Sequence, residues 1–106
     1  IAIKDQDITV LIDANDIDWV DAAGDYMCVH VKGLTHVMRS TLKSLMSRLD
    51  PDKFKRIHRS TVVNLDRIDE VTAQKKGEYI LHLDCDERLK VSRNYRDAIK
   101  LFLARQ

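Results

Sequence analysis

Only two stretches of this chain carry helical spacing, and almost everything else alternates or turns. Leu42, Leu45, Met46 and Leu49 recur at i, i+3, i+4 and i+7, and Tyr95, Ala98, Ile99, Phe102 and Leu103 form a second stripe. Elsewhere the period is two. Met27, Val29 and Val31 alternate with Tyr26, Cys28 and His30; Tyr79, Leu81 and Leu83 alternate with Ile80 and His82. Leu89 and Val91 alternate with Arg88, Lys90 and Ser92, while Ile8–Ile12 and Ile68–Thr72 are short β-rich runs. Ile17–Val20 is a short apolar run. The order is strands, a short helix, strands, a closing helix. Without βαβ alternation a parallel sheet is excluded, so antiparallel pairs are expected, with the two helices covering apolar faces or edges.

The punctuation agrees with this order. Asp13-Ala14-Asn15-Asp16, Ala22-Ala23-Gly24-Asp25, Lys75–Glu78 and Asp84–Glu87 read as turns or loops, and Gly33 closes a hairpin that returns along Thr35–Arg39. Ser40 and Thr41 suit the start of the first helix, and Asp50-Pro51 ends it, because proline disfavours helical geometry in the residue before it. Asn94 with Asp97 resembles a capping box for the second helix.

A chain of 106 residues can bury one core unaided, so residues 1–106 are expected to form a single domain. It opens Ile-Ala-Ile-Lys with no initiator Met and reads as a piece of a longer protein. No apolar run approaches the roughly 18 residues of a membrane helix, and no signal-peptide pattern opens it. Cys28 and Cys85 have no framework spacing and read as buried, reduced thiols of a cytoplasmic protein.

The net charge of +1 hides an asymmetry. Residues 1–25 hold seven Asp (5, 7, 13, 16, 18, 21, 25) against Lys4, a balance of −6, which leaves +7 for the remainder. The basic groups fall in two clusters: Lys53, Lys55, Arg56, Arg59 and Arg67, then Arg88, Lys90, Arg93, Arg96 and Lys100. Such clustering fits a polyanion-binding face, or a solvated surface of mixed charge.

The stretch "FKRIHRSTVVN", Phe54 to Asn64, sharpens the choice. A solvated helix face has no need of its abrupt change from Lys55, Arg56, His58 and Arg59 to Val62-Val63, and a buried strand does not tolerate that much charge. Catalysis lacks its parts: there is no Gly-rich phosphate loop or nucleophile elbow, and no third member to orient a His58–Ser60 pair. Cys28-Val29-His30 with His82 and Cys85 offers zinc-type ligands, but residues i and i+3 of one strand point to opposite faces. Nucleic-acid binding remains. Arg59 and Arg93 each stand where a strand gives way to a turn, and the last helix opens beside Arg93 with free N–H groups for a phosphate. Asn64 reads as a turn-holding amide rather than a base contact.

"FKRIHRSTVVNLDRI", followed about 25 residues later by "LKVSRNYRDAI", resembles the LytTR DNA-binding domain of bacterial response regulators. "IDWVDAAGDYMCVHV" and "STLKSLMSRLDPDKFKRIHRS" extend the resemblance over roughly Ile8 to Leu103. It implies a mainly β, elongated domain of small antiparallel sheets with two short helices, not a helix-turn-helix. It implies sequence-specific binding of promoter duplexes with repeated short elements, often by two domains per site, through loop side chains entering successive major grooves. Carried over by position, the contacts are Gly24, Asp25 and Tyr26, then His58, Arg59 and Ser60, then Ser92, Arg93 and Asn94. Asp25 sits awkwardly there, since its charge repels phosphate. Lys55, Arg56 and Lys90 are candidate phosphate contacts. No cofactor and no small-molecule substrate are implied. An upstream receiver or sensor domain is, and membrane segments can precede it. The acidic residues 5, 7, 13, 16 and 18 are then expected to lie away from DNA and face the upstream part. Two rival readings are a single-stranded nucleic-acid binder, which needs exposed aromatics, and a protein-interaction module whose basic face meets an acidic partner.

Overall fold

Ten strands realise the alternating segments. In the computed structural model, residues 1–106 are described, the side chain of Asp5 excepted. β1 (Ala2–Asp5) and β2 (Ile8–Leu11) form a separate hairpin. β3 (Ile17–Ala23), β4 (Tyr26–Val31), β5 (Leu34–Arg39), β6 (Phe54–His58) and β7 (Thr61–Asn64) make a five-stranded sheet in the order β5-β4-β3-β7-β6. β8 (Ile68–Ala73), β9 (Tyr79–Leu83) and β10 (Arg88–Val91) make a third sheet, ordered β10-β9-β8. Every pairing is antiparallel. Two helices complete the chain, α1 (Leu42–Met46) and α2 (Arg96–Ala104), and the molecule measures 46 × 24 × 22 Å. The expected architecture, mainly β, elongated and built of small antiparallel sheets, is the one observed.

The five-stranded sheet separates two cores. Val20, Met27, Val29, Leu42, Leu45, Phe54 and Val62 fill one side, with Ile3 of the first hairpin. Ile57, Val63, Leu81, Val91 and Ile99 fill the other, beneath the three-stranded sheet and α2. A strand covered on both faces needs apolar residues at consecutive positions, and this is why Val62 and Val63 stand side by side. Burying each such side chain contributes about 1.5–3 kcal/mol.

β6 carries the charge because it is the sheet's outer strand. Phe54 and Ile57 are buried, while Lys55 and Arg56 between them are only half-covered. In the ladder with β7, Arg56 pairs with Val62 and His58 with Thr61, so Ile57 is an extra, bulged residue.

Several expectations are corrected. β1 was not anticipated, because Ile3, the one buried residue among those described in it, gives no period. Ala22 and Ala23 belong to β3, which shrinks the loop to Gly24-Asp25. Thr41 caps α1 by accepting from the Ser44 N–H (3.1 Å), yet the helix stops at Met46, where Ser47 Oγ donates to the Ser44 carbonyl (2.6 Å) and the following turns tighten. The Asn94–Asp97 capping box is absent: a 3-10 turn over Arg93–Tyr95 intervenes, and the residue that caps α2 is Tyr95, with no side-chain bond. Of the apolar stripe on α2, Ile99 is buried and Leu103 is exposed. The cysteines are free but not buried, Cys28 being half-covered and Cys85 exposed.

The acidic segment acts within the domain. Asp13 accepts from the Asn15 N–H (2.9 Å), Asp16 lies 3.4 Å from Lys32, and Asp18, 7 % exposed, lies 3.2 Å from Arg67 Nε without hydrogen-bond alignment. Those three carboxylates therefore have partners within the domain. Asp7 is exposed, and the Asp5 side chain lies outside the described residues.

Candidate nucleic-acid interface

Antiparallel register brings the first two loops to one end of the five-stranded sheet. Asp21 of β3 is opposite Thr61 of β7, Ala23 is opposite Tyr26, and Tyr26 is opposite Arg39. The Gly24-Asp25 turn, the Arg59-Ser60 turn and the junction from β5 into α1 therefore lie together. Gly24, at φ +62°, takes the first position of its two-residue turn, where a side chain would be strained.

The His58–Ser60 turn is braced at every carbonyl. Arg56 Nε donates to His58 O (3.4 Å), Arg56 Nη2 donates to Arg59 O, and the Ala22 N–H donates to Ser60 O (2.8 Å). The Ser60 N–H donates to His58 Nδ1 (3.2 Å), with Ser60 Oγ at 3.0 Å from the same nitrogen. Since a backbone N–H can only donate, Nδ1 holds a lone pair and the ring proton is on Nε2. The histidine thus locks the turn. Arg59, exposed at its tip, carries no ion pair among the described residues.

The third loop is tied to the second through the bulge. Ile57, extra in the ladder, keeps its carbonyl free, and the Ser92 N–H donates to it (3.0 Å). Ser92, Arg93 and Asn94 share a cleft with Lys76 and Glu78. Lys90 bonds Glu78 at 2.9 Å. That hydrogen bond holds the Glu78 carboxyl below the usual range, and the charges of Lys90, Arg93 and Lys76 add to it. Gly77, at φ +75°, lies under the Arg96 guanidinium, which would collide with a Cβ there.

The predicted residues accordingly sort by place. Gly24, Asp25, Arg56 and Arg59 line one groove of about 490 Å³, where Asp25 stands among cations instead of alone. Tyr26, 51 % exposed, is at its edge through the pairing with Arg39. Arg56 is a brace before it is a contact. Lys55 lies on the opposite face of β6, toward Leu101 and Phe102 of α2, and Lys90 is held by Glu78. Asn64, 1 % exposed, donates from Nδ2 to Ile17 O (2.8 Å) and accepts from the Asp66 N–H (3.0 Å), the turn-holding role read from the sequence. Arg67 and Lys53 leave the basic cluster for Asp18 and Asp66. Sequence reasoning missed Arg39, Ser40 and Lys43, which line the same groove. The only signal was an exposed arginine ending a strand just before a helix cap.

Apart from the exposed Tyr26, the aromatic rings are at least half-covered. Phe54 is 1 % exposed, and Trp19 stacks on His30 at 3.9 Å between ring centroids and 9° between planes. No helix among the described residues is long and apolar enough to cross a membrane.

Comparison with known proteins follows the same line. A family model described as the LytTr DNA-binding domain matches residues 7–104. A response regulatory protein of Vibrio cholerae, described as uncharacterized, is 39 % identical over 95 residues, 86 % of this chain and 36 % of its own length. The transcriptional regulatory protein YpdB of Escherichia coli K12 is 34 % identical over 93 residues, 87 % of this chain and 38 % of its own. The sensory transduction protein LytT of Bacillus subtilis is 28 % identical over 94 residues, 89 % and 39 %. The chain spans well under half the length of these relatives. Among solved structures, the LytTr DNA-binding domain of a Bacillus cereus protein described as a methyl-accepting/DNA response regulator superposes with a TM-score of 0.86 over 97 % of this chain and 94 % of that one, at 24 % identity. That likeness is one of fold.

Proposed function

The chain belongs to the LytTr DNA-binding domain family, and from that premise we propose that it is the output domain of a bacterial transcriptional regulator, reading promoter duplexes through its loops. The family role is DNA binding in transcription regulation, not catalysis. The observation that carries the finer reading is the row of three joined loops. Gly24-Asp25-Tyr26 is tied to His58-Arg59-Ser60 by the bond from Ala22 to Ser60, and His58-Arg59-Ser60 to Ser92-Arg93-Asn94 by the bond from Ser92 to Ile57. Loops fixed to one another lose little freedom on entering a groove.

Arg59 and Arg93, both exposed, suit bidentate contact with guanine in the major groove, while the His58 Nε2–H, the Ser92 hydroxyl and the Asn94 amide add donors. The 46 Å length of the molecule exceeds the roughly 34–36 Å between successive major grooves on one side of a duplex. The loops would enter successive grooves on one face of the duplex, as the family resemblance implies, and repeated short elements would seat two domains. The remaining length of the relatives leaves room for a receiver or sensor domain, and the domain works in the cytoplasm, where its DNA is.

Selection of bound duplexes from a random pool tests the reading. A recovered consensus with two short elements about one helical turn apart supports it. Equal recovery of all sequences, or preference for single strands, overturns it.

A further inference from the structure

The groove at the end of the five-stranded sheet holds more cation than the loop motifs account for. Arg39, Lys43, Arg56 and Arg59 line it, and Asp25 is its one carboxylate. Arg39 and Lys43 are exposed, and neither has an ion-pair partner among the described residues, although the chain has 17 acidic residues. Elsewhere the fold uses that acid: Lys32, Lys53, Arg67 and Lys90 all have carboxylate neighbours. Four like charges drawn into one concavity repel one another, and the single carboxylate offsets only part of this. An external anion completes the balance.

The shape says which anion. At about 490 Å³ and open to solvent, the groove is far larger than a single phosphate, and in strand order its lining passes from the β5–α1 junction by the Gly24-Asp25 turn to Arg59. A continuous run of phosphodiesters fits cations spread in this way. We propose that this groove seats the sugar–phosphate backbone of one DNA strand, with Arg39 and Lys43 as phosphate contacts that set the height of Tyr26 and Arg59 over the bases. Register supports the pairing of roles, since Arg39 is the cross-strand partner of Tyr26. Arg56, bound to two turn carbonyls, links the backbone seat to the reading turn. The inference rests on the duplex-DNA reading above.

Arg39→Gln, Lys43→Gln and the double variant test it, with Lys32→Gln as control. Lys32 stands at the other end of the β4–β5 hairpin, roughly 20 Å along the strand and so beyond a Debye length. Binding is measured by fluorescence anisotropy across a salt series, on a duplex recovered by selection and on a scrambled duplex of equal length. Each groove variant is expected to weaken both duplexes alike, by roughly five- to tenfold near 0.1 M salt, and to flatten the log–log salt slope by about 0.9. Arg39→Lys should restore most of the slope, and thermal unfolding should match the unaltered chain. If Arg39→Gln and Lys43→Gln behave like Lys32→Gln while Arg59→Ala and Arg93→Ala still lose binding, the groove assignment falls and the proposed function stands. A loss confined to the selected duplex also overturns it, because that outcome is base reading. If Arg59→Ala and Arg93→Ala too leave binding unchanged, the proposed function itself falls and takes the groove with it.

Discussion

Arg59 stands on a two-residue hairpin turn whose carbonyls are all occupied from within, whereas Arg93 stands on a 3-10 turn that no side chain caps. The first turn is closed by Arg56, His58 and Ala22. The second has backbone bonds only, from Tyr95 to Ser92, from Arg96 to Arg93 and from Ser92 to Ile57, with the Arg96 side chain resting over Gly77 nearby. If both arginines meet DNA as proposed, they do so with different amounts of freedom left to lose. A side chain on a fixed turn converts more of its contact energy into affinity, since ordering a mobile one costs about 0.5–1.5 kcal/mol.

The largest expected effects are at the arginines themselves. Arg59→Ala and Arg93→Ala should each cost about 1–3 kcal/mol of binding to the selected duplex and relax preference at one base position. The Arg59 loss should be the larger, and anisotropy titrations that reverse this order break the comparison. Next comes the brace. Arg56→Gln frees two turn carbonyls and should weaken binding by about 1 kcal/mol, blurring preference at the Arg59 position and leaving that at Arg93 intact. Parallel selections on the two proteins would show it.

On the other side, Gly77→Ala strains a positive φ and displaces Arg96. About 1–2 kcal/mol of stability should be lost, with hydrogen-exchange protection falling first around Ser92–Tyr95. The smallest effect belongs to Glu78. Its carboxyl is held low by Lys90, so this contact stabilises the fold above the ordinary carboxylate range and is lost as pH falls through the depressed value. Binding should move the opposite way. Glu78→Gln, or protonation at low pH, removes a negative charge beside Arg93 and should tighten DNA binding by less than about threefold, read as a pH-dependent Kd that the variant flattens.

Legibility in the sequence followed how local each cause was. β4, β9 and β10 could be read because one face of each is buried and the period shows it. The inner strand β7 yielded only the doublet Val62-Val63, whose meaning needs a second core on the far side of the sheet. β6 was legible only as a strand-like end before Arg59, for a related reason: nothing nearby announces that a strand is outermost, and only an outermost strand carries Lys55 and Arg56 between two buried residues. The motif positions Arg59 and Arg93 were visible as basic residues at strand ends. Arg39 and Lys43 were not, because their convergence with Arg59 depends on the register of β3, β4, β5 and β7 rather than on spacing along the chain. The uses of Asp16 and Asp18 were hidden for the same reason, since their partners Lys32 and Arg67 lie far along the chain.

The inserted residue in β6 makes the protein its own gauge. By offering its carbonyl to Ser92, Ile57 fixes the interval between the turn of Arg59 and the turn of Arg93. On the proposed reading, the base positions met by Arg59 and Arg93 would have to match that interval in both length and phase. One added base pair between those two positions would shift the second by about 3.4 Å and rotate it by roughly 35°, more than a single hydrogen bond can follow. A one-residue irregularity in a strand would thereby limit which regulatory sites in a genome the domain can use.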